Sequence, residues 1–386
     1  MSIKKTVSCR SCSIPEIPNN DPTSPTYAFP LDFMMLSRTT AKPLRVVQPE
    51  GASSTSTGRL IEWEKWRFRV GFNWREGTIH DVWFDGRPVS HRSPMLEMFV
   101  PYESSSSKRC IRLRKCRSWI TSNDLSLGCD YLGLIAYLGG YVVNANGEVV
   151  AKNNAICIHE VDAGIQWKHT NHRTGQASVV RKRQLHLQTI ITVANYEYIF
   201  YWILDQSGEI VFETRATGIL STTPIDPANK YKINFATRVG DGVLAPYHQH
   251  IFNLRIDPAI DGSNNTISYV DSVPMPRDSK LNPYGTGYIT EETKITESST
   301  ANTDPYKNRV FKISNPSKIN PVSLSPVAYK LVPIASQVLL AAEDSWHNRR
   351  SHFTDAPIWV TKYKDRELFP AGDYTNQHAQ GSCCKK

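Results

Sequence analysis

From Arg59 onward, apolar and polar positions alternate in short runs separated by polar or glycine-bearing breaks. In RLIEWEKWRFRVGFNWREGTIHDVWFDGRPV the breaks are Arg75-Glu76-Gly77 and Asp85-Gly86. Runs of that length with turn residues between them predict antiparallel strands joined as hairpins. The pattern recurs at LGLIAYLGGYVV, a break at 144–147, then EVVAKNNAICIHEV. QLHLQTIITVANYEYIFYWIL reads as the longest single strand, and Gln206-Ser207-Gly208 turns it into EIVFETRATGIL. Helical periodicity is nearly absent, the best stretch being 338–344, and the Pro/Asn-rich region 271–326 reads as long functional loops. No repeat of 20–50 residues is visible. These features predict an all-β fold, a large antiparallel β-sandwich over residues 43–386. Residues 1–42, rich in Pro, Ser, Asn and Thr, read as a tail or linker.

Composition changes this picture little. A chain of 386 residues, 40% hydrophobic and 21% charged, can bury one large core or two ordinary ones. No apolar run reaches bilayer-spanning length, so no membrane partner is expected. The N-terminus lacks the apolar core of a secretory signal, and Lys385-Lys386 is not an SKL-type address. A cytoplasmic or peroxisomal location is expected over a secreted one. The net charge of +9 is concentrated in Lys108, Arg109, Arg112, Arg114, Lys115 and Arg117, without which it falls to +3. One basic run without aromatics is a poor nucleic-acid footprint, so no nucleic-acid partner is expected. Cys9 and Cys12 form a CxxC with no second pair at finger spacing, and read as free thiols.

Two segments carry candidate chemistry. His248-Gln249-His250 precedes a strand-like IFNLRI. In a strand, residues i and i+2 share a face, so both imidazoles can reach one copper or zinc ion. Two polar residues on a solvent face would read the same way. The second segment is Thr192-Val193-Ala194-Asn195-Tyr196-Glu197-Tyr198, where polar groups interrupt an apolar and aromatic run. Alone, it fits a half-exposed strand with Asn195 and Glu197 on the wet face.

Together, TxxNYEY followed by HxH and LRIDPAIDG resembles the signature of the copper amine oxidases. KPLRVVQPEG, FRVGFNWREG, LSLGCD, ICIHEVDAGIQWKH and WVTKYKDRELFPAGDYTNQ look like family segments in the family's order. The resemblance implies Tyr196 as the precursor of topaquinone, the organic cofactor that takes the amine as a Schiff base. It implies Asn195 as an orienting neighbour, Tyr102 of FVPY as a hydrogen-bond partner of the quinone, and His248 and His250 as copper ligands. Asp257 matches a ligand of a peripheral cation site, calcium being the candidate. The implied activity is oxidation of a primary amine by oxygen to aldehyde, ammonia and hydrogen peroxide, in a homodimer.

Against the family pattern, three departures stand out. The catalytic aspartate belongs to an FDxGE-like segment, but 103–124 reads ESSSSKRCIRLRKCRSWITSND, with Arg112 near the base's place. A guanidinium cannot accept a proton. Asp124, the carboxylate nearby, reads as a cap or turn residue. Codons for Ile111-Arg112-Leu113-Arg114, read one nucleotide later, can spell Phe-Asp-Tyr-Gly, the family's pattern. The family's third copper histidine follows GDYTNQ in a Thr-His motif that this sequence does not contain, and His378 is a weak substitute. The family also pairs a cysteine of CDC with the one in ICIHE. Here Tyr131 replaces that partner, and Cys129 is displaced by about 7 Å, too far for disulfide geometry. A free, buried Cys157 is expected. These departures imply an impaired oxidase, with a catalytically dead sandwich or a copper- or amine-binding protein without turnover as alternatives.

Overall fold

A computed structural model describes residues 45–72, 77–102, 121–128, 130–144, 146–229, 231–334, 336–365 and 369–371, and the backbone of 110–113. The chain opens as an antiparallel meander: β1 (Thr55–Thr57), β2 (Leu60–Trp63), β3 (Trp66–Phe72), β4 (Gly77–Phe84) and β5 (Arg87–Pro101). Asp85 and Gly86 close the β4–β5 hairpin with φ of +52° and +73°. Two left-handed residues are what a right-twisted two-residue hairpin requires. β6 (Cys110–Leu113) pairs with the far end of β5.

A second sheet contains β7 (Ile135–Val143), β8 (Val149–Thr170), β9 (Ala177–Val193), β10 (Tyr196–Asp205) and β11 (Ile210–Gly218), in the spatial order β11-β10-β9-β8-β7. The turn after β10 falls at 206–208, where the Asp205 carboxylate accepts from the backbone N–H of Ser207 and Glu209. Alternation sends Trp66, Phe68 and Val70 of β3 and Tyr198, Phe200 and Trp202 of β10 into one shared core. The two sheets therefore face each other as the expected sandwich. Two indoles stitch the layers without stranding a donor: Trp66 donates to the Asp205 carbonyl at 2.7 Å and Trp63 to the Glu160 carboxylate at 2.6 Å.

Past this sandwich, β12 (Thr223–Pro224), β13 (Ala236–Gly240) and β14 (Val243–Pro246) form a small sheet. β15 (Ile251–Leu254) and β16 (Asp257–Pro258) return to pair with β5. Then come β17 (Thr266–Pro274), β18 (Tyr288–Ile295), β19 (Ser299–Ala301), β20 (Val310–Ile319) and β21 (Pro326–Leu331), and finally α1 (Trp346–Arg350) and β22 (Ile358–Val360).

Three expectations need correction. The run read as one long strand is a hairpin, with Val193 opposite Tyr196 and Ala194-Asn195 as its two-residue turn. Ala194 takes φ +55° there, without the glycine that usually announces such a turn. The region read as loops over 271–326 builds a four-stranded sheet, β18-β17-β20-β21. Its prolines are compatible because Pro274 and Pro326 sit at strand ends and Pro316 lies where the β20–β21 register shifts. The best helix candidate, 338–344, is irregular. Its backbone is held by the Gln249 side chain, which donates to the Val338 carbonyl at 3.0 Å and accepts from the Leu340 N–H. The helix begins after Ser345, whose hydroxyl caps Asn348.

Candidate active site

The end of the β9–β10 hairpin, the C-terminal end of β5 and the approach to β15 converge at one edge of the sandwich. The hairpin aims Tyr196 inward as the first residue of β10. Its turn is fixed by its own side chain, because the Asn195 amide donates to the Ile219 carbonyl at 2.5 Å while Ile219 N–H donates back to the Asn195 carbonyl. Across from Tyr196 lies Gly218, at φ +100°, and a Cβ there would stand 2.5 Å from the Asn195 oxygen. Glycine is therefore required by the closeness of the two strands as well as by its backbone angle. On the other side of the hairpin, Thr192 donates to Glu197 at 2.8 Å, and the Asn123 amide donates to the same carboxylate. Glu197 is thus tied rather than simply wet.

His248 bridges Tyr102 across an antiparallel pair, and their rings stack at 4.7 Å and 21°. Its Nδ1 lies 3.0 Å from the Pro246 carbonyl, which can only accept, so that nitrogen carries the proton and Nε2 carries a lone pair. Nε2 lies 3.0 Å from the Tyr196 hydroxyl. His250 shares the face of His248, ring centroids 4.7 Å apart, and its Nδ1 bonds the Tyr198 hydroxyl at 3.0 Å. Burial, helped by His248, pushes His250 down to about 4, and burial also raises the Tyr198 phenol. His250 is thus held at Nδ1 by Tyr198 and His248 at Nδ1 by a backbone carbonyl, the arrangement that orients a metal-ligating histidine, while His248 Nε2 faces Tyr196. A neutral imidazole is also the form that binds a metal. The Tyr196 ring lies 5.5 Å from His248 and 5.3 Å from His250. Among the described residues no third His, Cys, Asp or Glu completes a metal cluster. The donor set is two imidazoles and the Tyr196 phenol, and it fits copper chemistry through imidazole nitrogen.

Tyr102, the last of the site residues expected at this centre, directs its hydroxyl to Tyr196 at 3.2 Å and to Ser221 at 3.0 Å. Ser221 was missed in the sequence. Asp257 lies apart from this cluster. Its Oδ1 accepts from Arg255 at 2.8 Å, and its buried Oδ2 has no hydrogen-bond partner among the described residues, which suits a bound cation. Asp124 accepts from the Asn154 N–H at 3.0 Å. Arg112 sits in β6 opposite Phe99. His378, Cys129, Cys9 and Cys12 lie outside the described residues. Cys157 is free and fully buried, and burial raises its thiol pKa.

The model of the copper amine oxidase enzyme domain matches residues 55–385. Copper amine oxidase 1 of Aspergillus niger is 48% identical over 347 residues, covering 88% of this chain and 51% of its own length. Histamine oxidase of Arthrobacter globiformis is 39% identical over 364 residues, covering 89% of the chain and 51% of that protein. The crystal structure of a copper-containing benzylamine oxidase from Hansenula polymorpha superposes with a TM-score of 0.87 at 43% identity, over 92% of this chain and 57% of that one. The chain thus spans about half the length of the curated relatives it matches. On the match over residues 55–385 and the fold shared with that oxidase, the chain belongs to the copper amine oxidase enzyme-domain family.

Proposed function

We propose that this chain supplies the centre of a primary amine oxidase, with Tyr196 as the topaquinone precursor and His248 and His250 as copper ligands. The observation that carries this reading is the Tyr196 hydroxyl 3.0 Å from a His248 nitrogen whose tautomer is fixed, with His250 on the same face. Copper and the quinone, when present, supply the electron-accepting chemistry that takes a primary amine and oxygen to aldehyde, ammonia and hydrogen peroxide. The chain's own residues prepare the phenol. His248 Nε2 faces its hydroxyl, Asn195 fixes the turn that aims the ring, and the Tyr102 hydroxyl lies 3.2 Å from the phenol oxygen. Burial of Tyr196 keeps water from competing for those contacts.

The same reading makes 43–386 one catalytic domain preceded by a linker over 1–42, and makes Asp257 a ligand of a peripheral calcium ion. It places two copies in a homodimer. Relatives from Pichia angusta and Nicotiana tabacum are named peroxisomal, and a peroxisomal or cytoplasmic place is proposed for this chain. A second reading concerns turnover. Arg112 stands in β6, near where the family's base is expected, and a guanidinium cannot take a proton from the substrate. Impaired turnover on an intact cofactor follows from that position.

One experiment tests both. The copper-loaded, aerated protein is titrated with phenylhydrazine, and the Tyr196 peptide is analysed by mass spectrometry. A coloured adduct on Tyr196 supports the oxidase reading, and an unmodified Tyr196 overturns it. An adduct without aldehyde release from primary amines assigns the defect to proton abstraction, whereas ordinary release removes the impairment reading.

A further inference from the structure

Ser221 lies three residues past the end of β11, in a segment with no motif character, yet it touches Tyr196 and two of its neighbours, Tyr102 and Asn195. Its backbone N–H donates to the Tyr196 hydroxyl oxygen at 3.2 Å. Its side-chain hydroxyl lies 3.0 Å from the Tyr102 hydroxyl and donates to the Asn195 side-chain Oδ1 at 3.2 Å. The donors and acceptors of this group fit one another in the copper-free chain. Nε2 of His248 can only accept, so Tyr196 donates to it. The Asn195 amide oxygen can only accept, so the Ser221 hydroxyl donates there. Ser221 Oγ is then left as an acceptor for the single proton of Tyr102, which also lies 3.2 Å from the Tyr196 oxygen.

Resting on the oxidase reading, we propose that Ser221 is a positioning residue for Tyr196. Its N–H supports the phenol oxygen directly, and its hydroxyl holds the Tyr102 hydroxyl beside that oxygen while bonding the Asn195 side chain. Ser221 Oγ bonds the Asn195 side chain as well as Tyr102, so one residue ties the turn carrying Tyr196 to the ring that faces it. Groups held in place before the reaction avoid reorganisation at the moment of reaction.

The test compares Ser221→Ala, which keeps the backbone donor, with Ser221→Thr, which keeps the hydroxyl as well. Three quantities are measured: the rate at which Tyr196 is modified in the copper-loaded, aerated protein, the copper affinity by calorimetry, and the Tyr102 and Tyr196 Cζ resonances of the copper-free protein at one pH. The alanine variant is expected to modify Tyr196 roughly tenfold more slowly, the scale of one lost hydrogen bond. Both Cζ resonances should shift while copper affinity stays at the wild-type value, and threonine should restore rate and shifts. An alanine variant that matches wild type in rate and resonances overturns the proposal while leaving the oxidase reading intact. Loss of copper affinity in step with rate also overturns it, since that is what general disruption of the site would produce. Wild-type protein that never modifies Tyr196 overturns the oxidase reading and this inference together.

Discussion

His186 and His159 face each other across β8 and β9 on the outer side of the second sheet, ring centroids 5.4 Å apart. Burial holds both below the ordinary imidazole range, and His186 is pushed down to about 4, with His159 lowering it further. Of the other charged groups nearby, Glu213 opposes the shift and Arg215 adds to it. The unfolded chain takes up these protons near 6.5, the folded chain only near 4 for His186. Stability therefore falls as pH drops below about 6.5 and keeps falling until about 4. For His186 the loss should be on the order of 2 kcal/mol across that window, discounted for partial exposure. Urea unfolding at pH 7.5 and pH 5 should show it, and His186→Gln should remove much of the difference. An unchanged pH dependence in that variant would show that His186 does not set the slope. The carboxylates lowered by ion pairing, such as Asp261 beside Arg87, lose their contribution below pH 4 and leave this window to the histidines.

At the scale of elements, the site depends on one hairpin and the strand beside it. Gly218→Ala would bring a Cβ to 2.5 Å from the Asn195 carbonyl and 2.8 Å from the Tyr196 Cα, all backbone neighbours that cannot swing aside. Added to the cost of alanine at φ +100°, the expected loss is about 2–4 kcal/mol, together with loss of the hydrazine adduct on Tyr196. Thermal unfolding and the hydrazine titration check both effects, and a variant that unfolds and labels like wild type would refute the close-approach argument. The hairpin also marks how far the sequence could be read. Strands with Asp85-Gly86 or Ser207-Gly208 between them declare their own turns, and the i, i+2 spacing of His248 and His250 declares a shared face. Ala194-Asn195 does not declare a turn, because the positive φ falls on Ala194, where glycine or asparagine is the usual carrier; the Asn195 amide and Gly218 across the ladder stabilise it. The strands over 271–326 were hidden for a related reason. Their prolines and asparagines lie at ends and shifts of register, and the Arg309–Asp271 pair that ties β17 to β20 spans 38 residues. Ser221 was hidden most completely, since its meaning comes from a contact with Tyr196 made 25 residues away through folding alone.

For the whole molecule, the most informative feature is a ribbon that outruns its sheet. β8 pairs with β7 only as far as His159, and β10 pairs with β9 only from Gln184 onward. Between these limits β8 and β9 continue as a bare two-stranded ribbon to Thr170 and Ala177. Such a ribbon is marginal by itself in water, and this one carries Trp167 opposite Val180, 52% and 47% exposed, with Ile165 and Val179 exposed beside them. The exposed Asp162–Arg181 ion pair near its base adds little, because surface pairs are worth about 0–1 kcal/mol. Apolar cross-strand pairs left in solvent mark a surface meant to be covered. A second copy of the chain is the occupant that fits the homodimer reading, since a two-fold axis would let each ribbon lie on the other copy's sandwich and cover both at once. Sedimentation velocity at micromolar concentration should then show a dimer, and Trp167→Glu should move the population to monomer without lowering the unfolding temperature of the sandwich core. A wild-type chain that sediments as a monomer at every concentration would reject the dimer. A dimer that survives Trp167→Glu would place the contact elsewhere, with the β17–β18 hairpin, where Tyr284 and Tyr288 are exposed, as the next surface to substitute.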